Sequence, residues 1–278
     1  MSWRGYRDSG GSLDVAGIAR ALASARAAGR TLDVPISDEL DLPVQDAYRV
    51  QDELAALRYR AGERLAGWKL GYTSAAMRAQ MGIDEPNFGP LTGAMLLPSG
   101  ADVPAVALQP RAEPEIGLRL GRRLAGPCTA DEALAACSAA VACLEIVDSV
   151  WTGYRFRLAD NTADLSSAAW VVVGGTLPRG DLDQVRVTLS VDGAPAGTAT
   201  GAAAGGHPAR GVAWLAGQLA ATGRVLQPGD LVITGGLTAA VPVTPGSTVA
   251  AVFDAPDAAA VTVTVNGPGA TDVAREVR

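Results

Sequence analysis

The chain changes texture at Leu65, and that change limits the folds open to it. Before it lie two Ala- and Arg-rich stretches with apolar residues at helical spacing. SLDVAGIARALASARAAG offers Ser12 as an N-cap, and VQDAYRVQDELAALRYRAG sets Val44, Ala47, Tyr48, Val50 and Leu54 along one side. After Leu65, short apolar runs alternate with Gly and Pro: LAGWKLGYTS, AMLLPSGADV, EIGLRLG, AVACLEIVDSV, AAWVVVGG, VRVTLSVDG, DLVITGG, TVAAVF and AVTVTVNG. These read as strands, with VDG and VNG as turn signals. One helix interrupts them, PARGVAWLAGQLAATG, with Val212, Leu215, Leu219 and Ala220 inward and Gly223 as its C-cap. The pattern predicts an α+β protein, with residues 1–64 a small N-terminal helical cap and residues 65–278 a large mixed β domain.

Composition removes whole classes of function. Aromatic residues are 5% of the chain against 48% hydrophobic, so the core must be built from Ala, Val and Leu. A net charge of −6 argues against a nucleic-acid partner. No apolar run approaches the ~18 residues of a membrane helix, and MSWRGYRDSGGS lacks the apolar core of a signal peptide. Cys128, Cys137 and Cys143 show no CxxC spacing and read as reduced, buried thiols of a cytoplasmic protein. A single histidine, His207, makes HExxH and two-histidine zinc sites impossible; set between Gly and Pro, it reads as a loop residue. Neither a Walker A loop nor GxGxxG after a strand occurs, so no nucleotide cofactor is implied.

The chemistry concentrates in QPRAEPEIGLRL and VACLEIVDSV. Strand alternation puts Glu113 and Glu115 on one face, with Cα atoms roughly 6.5–7 Å apart. Glu145 lies inside an apolar run that reads as a buried strand, where a carboxylate must be paired, protonated or bound to a metal. Three hard oxygen donors suit Mg²⁺ or Mn²⁺ better than zinc. A bland alternative is a sheet edge salt-bridged through Arg111 and Arg119, which Pro114 would tolerate. Lys69, in AGWKLGYTS, could hold a substrate anion or donate a proton, and Gly67 and Gly71 would let the backbone approach a ligand.

KLGYTSAAMRAQMGIDEPNFGPLTGAM, QPRAEPEIGLRLGRRL, CLEIVDS and GHPARGVAWLAGQLAATGRVLQPGDLVITGGLTAAVPVTPG together resemble the 2-oxopent-4-enoate hydratase and 4-oxalocrotonate decarboxylase family, within the fumarylacetoacetate hydrolase-like superfamily. TSAAMRAQMG and TGGLTAAVPVTPG look more like the decarboxylase branch. The resemblance implies a barrel-like β domain of that superfamily's type and Mg²⁺ or Mn²⁺ on Glu113, Glu115 and Glu145. It further implies a 2-oxo acid substrate chelated through carboxylate and carbonyl, with Lys69 orienting it or relaying a proton. The implied reaction is decarboxylation of a 2-oxo-3-enedioate. The alternatives are a 2-oxopent-4-enoate-type hydratase, or a non-catalytic or biosynthetic relative with an altered substrate. A homo-oligomer is implied, with association with a related hydratase or decarboxylase as a further expectation.

The pattern departs from that family in two strings. Where the family has D-S-R, this chain has Asp148-Ser149-Val150; where it has A-D-N-A-S, a gapless register gives Ala163-Asp164-Leu165-Ser166-Ser167. The rival match, Ala159-Asp160-Asn161, would need an insertion before a strand, which pairing tolerates poorly. By the gapless register Asp164 and Ser167 carry over as catalytic residues, Gly71 and Thr238 as substrate-binding ones. Val150 then replaces a bidentate arginine and Leu165 an amide, an expectation of altered substrate. Asn87 stands where some hydratases have an acid, and an amide is neither acid nor base.

Overall fold

The computed structural model describes residues 2–7, 11–74, 78–79, 82–255 and 260–267. Ala75, Ala76, Met77, Gln80 and Met81 of the TSAAMRAQMG stretch, and residues 268–278 of the predicted β domain, lie outside these.

The N-terminal region holds helices α1 (Val15–Ala27) and α2 (Val44–Arg60). Asp14, rather than Ser12, caps α1: its Oδ1 accepts from the Gly17 amide at 2.8 Å. Beyond them come β1 (Leu65–Gly71), β2 (Asn87–Thr92), β3 (Leu96–Pro98), β4 (Arg111–Leu120), the short helix α3 (Ala130–Ala136) and β5 (Cys137–Val147). The chain continues through α4 (Leu158–Ala163), β6 (Ala168–Leu177), β7 (Arg186–Val191), β8 (Ala194–Thr200), α5 (Pro208–Ala221), β9 (Leu231–Ile233), β10 (Val241–Pro242), β11 (Thr248–Asp254) and β12 (Val261–Asn266). No helix among the described residues is long and apolar enough to cross a membrane.

Eight strands form one mixed sheet, ordered β2-β1-β9-β4-β5-β6-β3 with β10 on β4, which curls as a half-barrel. A second sheet runs β12-β11-β7-β8. Its β7–β8 hairpin turns at Asp192-Gly193, both with positive φ (51° and 80°), the geometry that an Asp-Gly pair favours.

The large sheet separates two apolar clusters by strand alternation. Even-numbered residues of β4 and β5, among them Ala112, Ile116, Leu118, Ala142, Leu144 and Ile146, pack with β11, α3 and α5. Val141 and Cys143 of β5 and Leu231 and Ile233 of β9 pack instead with Ile18, Leu22, Val50 and Leu54 of α1 and α2. The N-terminal helices thus cover the second face, and the odd-numbered residues of β4 and β5 point into that layer.

β4 is an interior strand, paired with β5, β9 and β10, and the reading of it as an edge is overturned. Pro114 is accommodated because β10 pairs only at Arg111 and Ala112 and β9 only at Gly117–Arg119, so it falls in the gap between them. Cys137 and Cys143 are buried free thiols, while Cys128 is only half-buried. His207 is the N-cap of α5, its Nδ1 accepting from the Ala209 amide at 3.1 Å.

Candidate metal centre and active-site cavity

Register builds the carboxylate cluster. Glu113 and Glu115 share a face of β4, and Glu145 on β5 is the direct cross-strand partner of Glu113. Carboxylate oxygens of the three come within 4.8 Å of one another. Glu115 and Glu145 are buried, Glu113 half-buried at the edge of the open space.

The protein leaves this cluster unsatisfied. Glu115 Oε2 accepts from the Gly235 amide at 2.7 Å, but Glu115 Oε1 and both oxygens of Glu145 have no hydrogen-bond partner. Lys69 Nζ lies 3.2 Å from Glu145 Oε1, an ion pair by distance whose angles are not those of a hydrogen bond; it donates instead to the Ser166 carbonyl at 2.9 Å. Burial pushes Glu113 up to about 7, helped by the charge of Glu145 and opposed by Lys69 and Arg111. Burial and the neighbouring carboxylates raise Glu115 well above the usual range. Burial alone would lower the Lys69 ammonium, but Glu145, Glu113 and Glu115 outweigh it and hold the lysine charged. Orphaned buried carboxylate oxygens with one cation among three acids fit a hard divalent ion.

Glycines make the approach possible. A Cβ at Gly236 would lie 2.4 Å from Glu113 Oε2, and one at Gly235, whose φ is 103°, would lie 2.1 Å from Thr73 Oγ1. A Cβ at Gly71 would lie 2.2 Å from Asn87 Oδ1 and 3.0 Å from Ser166 Oγ. The freedom expected at Gly71 for a ligand is thus used first by the protein's own polar groups.

Those groups form a buried network. Asn87 Nδ2 donates to Asn161 Oδ1 (2.9 Å) and Thr162 Oγ1 (3.0 Å), Ser166 Oγ donates to Asn87 Oδ1 (2.8 Å), and Asn161 Nδ2 donates to Ser167 Oγ (2.8 Å). Leu165, Ser166 and Ser167 all have φ between 53° and 56°, a conformation that costs non-glycine residues energy and turns the Ser166 carbonyl toward Lys69.

A cavity of about 360 Å³ opens above the carboxylates. Lys69, Gly71, Tyr72, Thr73, Arg111, Glu113, Tyr154, Asn161, Ser166, Ser167 and Gly236 are among its lining residues. Of the residues predicted from sequence, Lys69, Gly71, Glu113 and Ser167 line it, and Glu115 and Glu145 lie beneath. Asp164 does not line it. Both Asp164 oxygens bind the Arg26 guanidinium at 2.8–2.9 Å, and Oδ2 also accepts from the Val150 amide at 2.9 Å. Thr238 also lies outside the lining, its hydroxyl donating to the Ala239 carbonyl at 3.2 Å.

The two departures from the family strings take on a different meaning. The side chains of Val150 and Leu165 are buried in the N-terminal apolar cluster and reach no part of the cavity. An amide is nevertheless present there: Asn161, which the gapless register set aside, projects into the cavity from α4. Sequence reasoning weighed Asn161 and set it aside, and missed Ser166, Tyr72 and Tyr154. The polar string LADNTADLSS between two apolar runs was the hint of Ser166.

The chain is similar to known enzymes over most of its length. It is 37% identical over 81% of its length to 2-hydroxyhexa-2,4-dienoate hydratase of Comamonas testosteroni, covering 88% of that protein. It is 36% identical over 85% of its length to a 4-oxalocrotonate decarboxylase of Pseudomonas sp, covering 93% of it. Its fold matches the structure of 4-oxalocrotonate decarboxylase from Pseudomonas putida G7, complexed with magnesium and adipate, with a TM-score of 0.85 at 29% identity over 91% of this chain and 97% of that one. Residues 68–268 match the family described as Fumarylacetoacetate (FAA) hydrolase C-terminal, and the chain belongs to that family.

Proposed function

We propose that the protein is a divalent-metal-dependent lyase that decarboxylates a 2-oxo-3-enedioate. One observation carries the reading: a cluster of three carboxylates, two of them buried with orphaned oxygens, sits beside a charged lysine 3.2 Å from Glu145. The solved relative bound to magnesium and to a six-carbon dicarboxylate supports it.

Glu113, Glu115 and Glu145 hold Mg²⁺ or Mn²⁺. Bound there, the ion supplies Lewis acidity toward the 2-oxo group of the substrate. The bond to the far carboxylate carbon breaks, CO₂ leaves, and the electron pair passes through the conjugated double bond onto the carbonyl oxygen. Lys69, fixed by Glu145 and the Ser166 carbonyl, gives its proton to the resulting dienolate and regains one from solvent. Gly71 and Ser167 contribute to the substrate's wall. Asp164 acts as a positioning residue, anchoring the turn at Leu165–Ser167 through Arg26, and Thr238 supports the loop behind Gly236 without touching substrate. The reading carries with it a cytoplasmic homo-oligomer, which light scattering of the purified protein checks.

Decarboxylation is favoured over hydration because hydration needs a base to direct water. Among the described residues lining the cavity there is no histidine and no aspartate, and the glutamate there, Glu113, is assigned to the metal. Tyr72 and Tyr154 are pushed far up by burial, so they serve as donors rather than bases. Mass spectrometry of 2-oxohex-3-enedioate incubated with enzyme and Mg²⁺ tests the choice. Loss of one CO₂ is the expected outcome; gain of one water, with the carboxylates retained, would give the site to a hydratase.

A further inference from the structure

Arg111 is a cation with no ion-pair partner among the described residues, although its charge reaches Glu113 on the same strand. It lies two residues before Glu113 on β4, so its side chain leaves the same face as Glu113 and Glu115. It is half-buried and lines the same cavity as Glu113 and Lys69. Among the described residues its guanidinium enters no ion pair and no hydrogen bond; its one contact of that kind is with the face of Tyr154, 4.2 Å from the ring centroid. The Tyr154 ring is itself fixed, with its hydroxyl 2.9 Å from the Val147 carbonyl and 3.1 Å from that of Gln109. A guanidinium held flat against a ring keeps its donor edge free, and that edge matches a carboxylate in two-pronged fashion.

The shared cavity suits a ligand charged at both ends. Arg111 stands one same-face step, roughly 6.5–7 Å between Cα atoms, from Glu113, and both line the cavity. An extended six-carbon chain spans roughly 6 Å between its end carbons, five bonds of about 1.5 Å shortened by the zigzag, and fits within a cavity of that kind. Resting on the proposed lyase reading, we infer that Arg111 is the specificity residue for the far carboxylate, making the cavity selective for 2-oxo dicarboxylates over 2-oxo monocarboxylates. Because that carboxylate departs as CO₂, Arg111 acts on binding and KM more than on kcat.

The inference is tested with ligands that cannot react. 2-Oxohexanedioate lacks the conjugated double bond, and 2-oxohexanoate lacks the far carboxylate as well. Calorimetry on the Mg²⁺-loaded wild type is expected to show the dicarboxylate binding roughly tenfold or more tightly, the value of one charge-assisted bidentate pair. In Arg111→Gln that preference collapses to about unity, while affinity for 2-oxohexanoate stays within about twofold and Mg²⁺ binds no more weakly, since a positive charge near Glu113 has been removed. Arg111→Lys retains part of the preference, since charge survives without the fork. A wild type with no preference, or an Arg111→Gln variant that keeps it, overturns the assignment of Arg111 and leaves the lyase reading standing. If neither ligand binds in a Mg²⁺-dependent way, the lyase reading itself fails and takes the inference with it.

Discussion

Two largely buried acidic clusters among the described residues are treated in opposite ways. Asp148 and Asp164 are fully served: Asp148 accepts the amides of Leu108 and Gln109, Asp164 accepts the Val150 amide, and Arg26 of α1 lies against both. Glu113, Glu115 and Glu145 receive one amide and one lysine between them, and three of their oxygens have no donor. Both clusters pay the desolvation penalty of burial, but only the first has its oxygens paired and hydrogen-bonded from within the chain, and even there burial leaves the Asp164 carboxyl raised. An ion-paired cluster that joins the N-terminal helix to the β domain is architecture. A cluster left short of positive charge is a place prepared for a cation.

The sharpest way to break this comparison is to neutralise one member of the open cluster. Glu115→Gln is expected to reduce Mg²⁺-dependent turnover by on the order of a hundredfold or more, since it removes a donor aimed at the electron sink. The metal-free variant should melt no lower than wild type, because the substitution removes a charge whose burial is unfavourable. Stopped-flow assays and thermal melts in EDTA check both halves. A variant that loses stability as well as activity would make the two clusters alike.

The closed cluster should respond the other way. Arg26→Ala leaves two buried aspartates without their counter-charge and is expected to destabilise the fold by roughly 3–5 kcal/mol. Denaturant melts give that figure. Mg²⁺ affinity of the fraction still folded should stay near the wild-type value, measured by calorimetry well below the melting transition.

Proton linkage tests the open cluster more gently, through Glu113. The Glu113 carboxyl is raised from 4.5 to about 7, so between those values the folded chain holds a proton that the unfolded chain has released. Folding of the metal-free protein therefore takes up a proton in that window. Its stability rises as pH falls from about 7 and declines as pH climbs through it. Mg²⁺ reverses the trend, because binding expels the proton and strengthens as pH rises. Melting curves across pH, with and without Mg²⁺, should cross in opposite directions.

The smallest expected effect is at His207. As the N-cap of α5 it contributes about 1 kcal/mol. His207→Ala should lower the melting temperature slightly and leave kcat unchanged. A large fall in kcat would mean that a histidine serves the chemistry after all.

Much of the open cluster could be read before the fold was known, and almost none of the closed one. A carboxylate inside CLEIV and a pair at ExE spacing announce themselves, because an apolar run has no reason to contain an acid without a partner. The matching of Glu113 to Glu145 needs only strand alternation and one register. Arg26 and Asp164 are 138 residues apart, on a helix and a turn whose docking no local pattern encodes. β2, NFGPLT, and β8, APAGTAT, escape a strand reading because Gly, Pro and Ala carry little β preference; their neighbours impose the conformation. The turn at Leu165–Ser167 was hidden for the same reason, since non-glycine residues rarely adopt positive φ. That turn is why Ser166 entered the site unannounced. It also explains how α4 could deliver an amide while the string match pointed to Leu165.

The central claim is that the three glutamates, and no other acidic group, hold the ion. Electron paramagnetic resonance of Mn²⁺ titrated into wild type, Glu113→Gln, Glu145→Gln and Asp164→Asn tests it most directly. The account predicts one tight site in wild type, kept in folded Asp164→Asn and lost in both glutamate variants. Unchanged Mn²⁺ binding in Glu113→Gln and Glu145→Gln would contradict it.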